Sequence, residues 1–233
     1  MSYWKASGLV LCAAVGLLGV TGSAHAQCST CATEWSGGRV INLGGSQNNQ
    51  ANGINDAGQA VGFSAFSGGT FATEWSSGKT VNLGGLSGST ASSAAGINQS
   101  GQVVGGSIVG GVGIATEWTA GGVINLGGFP GSTFSVANSI NNAGQAVGWS
   151  DVGGVGTATE WSGGNVINLE GLPGSIESIA FSINDGGQAV GDSVGGPVPV
   201  PEASTWAMML IGFAGLALAG CRRAKAGQTT RAR

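Results

Sequence analysis

Between residues 27 and 200 the apolar positions fall in short runs separated by Gly, Ser and Asn, and the pattern returns roughly every 43 residues. Trp35, Trp75, Trp118 and Trp161 mark the period, 40, 43 and 43 residues apart, and each closes an Ala-Thr-Glu-Trp box. Val40-Ile41-Asn42-Leu43, Thr80-Val81-Asn82-Leu83, Val123-Ile124-Asn125-Leu126 and Val166-Ile167-Asn168-Leu169 follow the boxes. Each unit ends on Ile-Asn, a two-residue spacer, Gly-Gln and x-Val-Gly, as in Ile54-Asn55-Asp56-Ala57-Gly58-Gln59-Ala60-Val61-Gly62. Every unit thus predicts four short strands: at the Trp box, at Val-Ile-Asn-Leu, before Ile-Asn, and through Gln-x-Val-Gly. Pairs such as Gly37-Gly38 and Gly163-Gly164 supply the positive φ of a tight first hairpin. Asn55-Asp56-Ala57-Gly58 suits a type I turn closed by a left-handed glycine.

Four strands in about 43 residues is the spacing of a propeller blade. Connection lengths place the blade boundary inside the unit. The last strand of one unit meets the next Trp box through the tight turn Ser67-Gly68-Gly69, whereas residues 86–94 make a longer link between second and third strands. Each complete sheet should therefore take two strands from one repeat and two from the next. That leaves a first hairpin (residues 31–43) and a last one (residues 180–192) without partners. The expectation is an all-β repeat protein, a small four-bladed β-propeller closed when the hairpin at 32–43 pairs with the one at 180–192. The alternative is an open β-repeat array or a solenoid.

The ends break the pattern. Lys5 precedes an apolar run at 8–20 and the small-residue stretch Ser23-Ala24-His25-Ala26, the make-up of a secretory signal peptide (1–26) cleaved between Ala26 and Gln27. An uncleaved amino-terminal anchor is the alternative. Residues 27–194 hold the four repeats, and 195–205 form a linker with the signature Val200-Pro201-Glu202-Ala203. An apolar segment follows at 206–221, then a basic tail at 222–233 containing Arg222, Arg223, Lys225, Arg231 and Arg233. The fifteen residues at 206–220 make a helix of about 22 Å against a hydrocarbon core of about 30 Å, a marginal transmembrane segment. The basic cluster would hold the tail in the cytoplasm with the repeats outside.

Signature, apolar segment and arginines together resemble the PEP-CTERM sorting signal of bacteria that make extracellular polysaccharide. Ala203 stands where that motif has its second proline. The resemblance implies an exosortase-type processing enzyme as partner, after signal peptidase and the general secretion machinery. It also implies delivery from a membrane-anchored state to the cell surface or extracellular matrix; a plain single-pass anchor is the alternative. The repeats resemble the HAF family of extracellular repeats through Ala72 and Trp75, Leu83-Gly84-Gly85, Ile97-Asn98 and Gly101-Gln102-Val103-Val104-Gly105. Thr73 and Glu74 replace that family's Phe-Leu, and Asn82 its usual Asp. The likeness implies an exported β-repeat protein and brings no catalytic residues with it.

Charge narrows the partners. Residues 27–200 carry ten acids and only two bases, Arg39 and Lys79, a formal charge of −8 that the whole-chain value of −3 conceals. Such a surface offers no basic stripe for nucleic acid. Cys28 and Cys31, a C-x-x-C followed by β pattern, are expected to form a local disulfide in an oxidising compartment, with free thiols as the alternative.

The remaining chemistry recurs with the repeat. Glu34, Glu74, Glu117 and Glu160 share one position, so either they gather a hard cation such as calcium or each bonds within its own sheet. Trp35, Trp75, Trp118 and Trp161 are core pillars, or else platforms for stacking sugars of an extracellular polysaccharide. Asparagines such as Asn42 and Asn55 are expected to bond backbone at turns and strand ends. No catalytic residues are assigned, because no histidine or lysine base stands beside a serine and no carboxylate pair is unique to one place. The expected role is binding or scaffolding without catalysis and without a required cofactor, with a lectin-like carbohydrate binder as the alternative.

Overall fold

The computed structural model describes residues 29–45 and 48–195. The strands, in chain order, are β1 (Thr33–Ser36), β2 (Arg39–Asn42), β3 (Asn49–Ile54), β4 (Ala60–Phe66), β5 (Gly69–Ser76), β6 (Lys79–Gly84), β7 (Ser89–Ile97) and β8 (Val103–Val109). They continue with β9 (Val112–Thr119), β10 (Gly122–Gly127), β11 (Ser132–Ile140), β12 (Ala146–Val152), β13 (Val155–Ser162), β14 (Asn165–Asn168), β15 (Ser175–Ile183) and β16 (Ala189–Gly195). All neighbours pair antiparallel, in three four-stranded sheets, β3–β6, β7–β10 and β11–β14, with a two-stranded hairpin before them (β1–β2) and another after (β15–β16). Among the described residues no helix is long and apolar enough to cross a membrane. The signal peptide at 1–26 and the apolar segment at 206–221 lie outside the described residues.

The sheets straddle the repeat boundaries as the connection lengths predict. Each central pair joins a Gln-x-Val-Gly strand to the next Trp-box strand, in the register Val61↔Glu74, Val104↔Glu117 and Val147↔Glu160. The turns follow local chemistry. Gly58 adopts φ 75° and donates its N–H to Asn55 O at 3.0 Å, while Asn55 N donates to Gln59 O at 3.1 Å, closing the expected left-handed turn. Between sheets, the Ser132 and Ser175 N–H groups donate to Phe129 O and Leu172 O across Pro130-Gly131 and Pro173-Gly174. The glycines there have φ 82° and 83°, the type II turn that Pro-Gly favours.

Closure of the ring is not shown. The hairpins expected to share one sheet form separate two-stranded sheets, β1–β2 and β15–β16. The core lies instead between successive sheets. Val104 and Ala115 of the second sheet pack with Ala137, Ile140, Ala146 and Trp161 of the third. One step earlier, Val61 and Ala72 pack with Ala94, Val103 and Trp118 in the same way. Ala32 meets Ala60 and Trp75 at the amino-terminal end, and Val147 and Ala158 meet Ala180 and Ile183 at the other.

Candidate functional site

Each four-stranded sheet carries one polar network built from its Ile-Asn and Gly-Gln residues. The Asn98 Oδ1 accepts the N–H groups of Ser100 and Gln102, both at 3.0 Å, which shapes the hairpin between β7 and β8. Its Nδ2 donates to Gln102 Oε1 at 2.7 Å and, across the gap, to Asn141 O of the following sheet at 3.0 Å. Asn55 makes the same bonds to Gln59 Oε1 and Asn98 O, and Asn141 to Gln145 Oε1 and Asn184 O. A parallel row runs on the exposed side: Asp56 N to Gln99 Oε1, Gln99 N to Asn142 Oδ1, and Asn142 N to Asp185 Oδ1. These 43-residue steps are the polar spine of the stack.

Asp185 ends that exposed row, and the Asn142 backbone N–H, followed by the Asn142 side-chain amide, holds its carboxyl below the usual carboxylate range. A depressed carboxylate stabilises the fold at neutral pH, and that contribution is lost as pH falls through its lowered value. The Asp185→Asn chain is therefore expected to show a smaller acid-side loss of stability than the wild type below about pH 4 in a melting-temperature titration.

The repeated glutamates belong to the same network. Gln59 Nε2 donates to Glu74 Oε1 at 2.9 Å, Gln102 to Glu117 at 2.9 Å, and Gln145 to Glu160 at 3.0 Å. Each carboxylate is thus held inside its own sheet beside the central strand pair. Among the described residues no group of three or more His, Cys, Asp or Glu side chains could hold a metal ion, so Glu34, Glu74, Glu117 and Glu160 are not brought together.

The tryptophans divide. Trp75, Trp118 and Trp161 are buried between sheets with no free ring face, whereas Trp35 stands exposed on the first hairpin. Trp75 Nε1 donates to Gly44 O at 3.2 Å, but the buried indole N–H groups of Trp118 and Trp161 have no partner among the described residues. A buried donor left unpaired costs about 1–3 kcal/mol. Trp118→Phe, which removes such a donor, is therefore expected to lower stability less than Trp75→Phe, which removes a made bond; denaturant unfolding of both variants compares them. Cys31 is disulfide-bonded, and its expected partner Cys28 lies outside the described residues.

One feature escaped the pattern-level reading. A pocket of about 340 Å³ opens between sheets, bounded by Phe63 and Thr70 of the first, Ser93 and Ile108 of the second, and Phe134 of the third. It exists because Gly106 occupies the repeat position that carries Phe63 and Trp149 in the neighbouring sheets. Gly113 completes it: a Cβ there would strike the Phe134 ring, which stacks on Trp149 at 4.9 Å between centroids. The legible signal was the break at Gly106, a glycine where the units before and after it place Phe63 and Trp149.

The sorting signature Val200-Pro201-Glu202-Ala203 and the cleavage pair Ala26-Gln27 lie outside the described residues. No curated protein and no solved structure matches the chain. Residues 199–223 match the PEP-CTERM protein-sorting motif, which indicates exosortase-dependent sorting of an exported protein that is membrane-anchored before it is processed.

Proposed function

We propose that the chain is an exported repeat protein of HAF type that acts at the cell surface or in the extracellular matrix by binding or scaffolding, without catalysis. The observation that carries this reading is the sorting motif at 199–223, joined to a repeat region whose polar side chains are engaged in holding sheet to sheet. The non-catalytic part rests on redundancy. The glutamates and amides recur in all three four-stranded sheets in one hydrogen-bonding pattern, which is what packing residues of a repeat do. Fractionation with mass spectrometry tests the export route. A released chain ending near Glu202 is expected, and full-length chain ending at Arg233 confined to the membrane fraction contradicts it. In the same reading the glutamates are structural, so millimolar calcium should leave the melting temperature unchanged, because only a ligand that binds the folded state raises it.

The carbohydrate-binding alternative is favoured by one observation, the aromatic-walled pocket between Phe63 and Phe134. Burial removes Trp75, Trp118 and Trp161 from a stacking role, so a glycan array should be read with Phe134→Ala. Sugar binding that this substitution abolishes while the fold is kept would support a lectin.

A further inference from the structure

The two ends of the stack are complementary halves of one sheet. β16 is a Gln-x-Val-Gly strand with no Trp-box strand beside it, and β1 is a Trp-box strand with no Gln-x-Val-Gly strand beside it. In every complete sheet those two strand types form the central pair. The residues that this pairing would cover are the ones that stand out from their repeats. Trp35 is 76% exposed where Trp75, Trp118 and Trp161 are 2–4% exposed. Val190 is 65% exposed where Val61, Val104 and Val147 are at 0%, and Ile54 is 55% exposed where Ile140 and Ile183 are at 8%. Three large apolar side chains left in water at matching ends form an unfinished interface rather than scattered surface residues.

We infer that β15–β16 of one copy pairs with β1–β2 of a second copy, so that the chain assembles head to tail and each junction completes a four-stranded sheet. Carrying over the register of β12 with β13, Ala146↔Trp161 and Val147↔Glu160, sets Ala189 opposite Trp35 and Val190 opposite Glu34 of the second copy. The junction closes both adjoining interfaces at once. Trp35 enters the place that Trp161 fills one step earlier, beside Leu169, Val147 and Ala158. Val190 covers Ala60, Trp75 and Ile54 of the second copy, as Val61 covers the next sheet within the chain.

The polar spine continues through the junction as well. Gln188 reaches Glu34, as Gln145 reaches Glu160, and the Asn184 amide meets the Asn55 carbonyl, as Asn141 meets that of Asn184. A second copy is the occupant that supplies all of these partners, because it carries the missing half-sheet with the repeat's own spacing and the chain's own two half-sheets lie in separate sheets. Main-chain pairing gives the junction its extended hydrogen bonding, and the buried indole is its anchor. The contact joins different surfaces on the two copies, so it propagates into chains or larger rings rather than stopping at a symmetric dimer. This inference does not depend on where the protein is delivered.

The test uses full-length chain in a mild nonionic detergent, followed by sedimentation velocity over about 1–100 µM, the range in which an interface of ordinary strength dissociates. The wild type should give a concentration-dependent ladder of species. Trp35→Ser and Val190→Lys, each changing a side chain that is exposed in the single chain, should both be monomeric, with apparent dissociation constants raised at least about 100-fold and melting temperatures at high dilution unchanged. An equimolar mixture of the two variants should form dimers and nothing larger, since each retains one intact half-sheet. A wild type that stays monomeric, with Trp35→Ser lowering its melting temperature, would mean closure within one chain and would overturn the inference. Oligomers insensitive to both substitutions, or a mixture that remains monomeric, would overturn it equally.

Discussion

Gly105→Ala is expected to lower the melting temperature of the repeat domain by about 6–12 °C, a loss of roughly 3 kcal/mol or more. The cause is a collision with backbone. The x-Val-Gly strand runs opposite a β-bulge, where the register slips between Ala94 and Gly96, and the slip pushes the Ser93 carbonyl toward Gly105. A Cβ on Gly105 would overlap that carbonyl oxygen, and neither strand can retreat because both are paired on their other edges or packed on the next sheet. Gly62, Gly148 and Gly191 face the Gln50, Val136 and Ile179 carbonyls in the same way. Gly110→Ala is the control. Gly110 has φ 59° but nothing near the added methyl, so its cost is that of the left-handed conformation alone, about 1 kcal/mol. Gly191→Ala should cost less than Gly105→Ala, since β15–β16 ends the stack and can fray without opening a complete sheet. Thermal unfolding followed by circular dichroism ranks the three.

The second large effect is expected from Asn98→Ala, about 3 kcal/mol. This side chain is buried and makes four bonds, two that shape its own hairpin and one that crosses to the Asn141 carbonyl, with the fourth orienting Gln102 toward Glu117. Truncation strands the Asn141 carbonyl and the Gln102 amide oxygen, and each buried group left unpaired carries a desolvation cost. Asn98→Asp is sharper still: it keeps the acceptors for Ser100 and Gln102 but turns a donor into a second acceptor facing two oxygens. Asn184→Ala should be milder, because Asn184 closes only its own turn and the bond to Gln188. Urea unfolding of these variants reads the order Asn98→Asp, Asn98→Ala, Asn184→Ala from most to least destabilised.

What could be read from the chain alone was what is local or periodic. Strand identity, the Asx-type turn at Asn55 and the placement of sheet boundaries all follow from turn residues and connection lengths, each acting within about ten residues. The asparagines of Val-Ile-Asn-Leu were also legible. Asn42, Asn82 and Asn125 each accept the N–H of a glycine two residues on, at 2.7–2.9 Å, which ends the strand. Relations between repeats were not legible. The glutamates shared one repeat position, which fits a common cation as well as a bond in each sheet; the register of Val61 against Glu74, which brings Gln59 within reach of that carboxylate, could not be read from the position alone. The tryptophans looked equivalent because position in the repeat says nothing of position in the stack, and Trp35 differs from Trp75 only in lacking a strand before it. Closure depends on how far each sheet turns relative to the last, a property spread over many packing contacts rather than carried by a motif.

The central claim is that the stack ends in two half-sheets that one chain does not join, and hydrogen exchange of the full-length chain read by mass spectrometry as a function of protein concentration tests it most directly. The amides of β16 and β1 should exchange orders of magnitude faster than those of β4, β8 and β12 at high dilution, because one edge of each terminal strand faces water. Their protection should rise with concentration while that of β8 stays constant. Full protection of β16 and β1 at the lowest concentration, equal to that of β8 and β12, would contradict the account and mean that the first and last hairpins complete a sheet within a single chain.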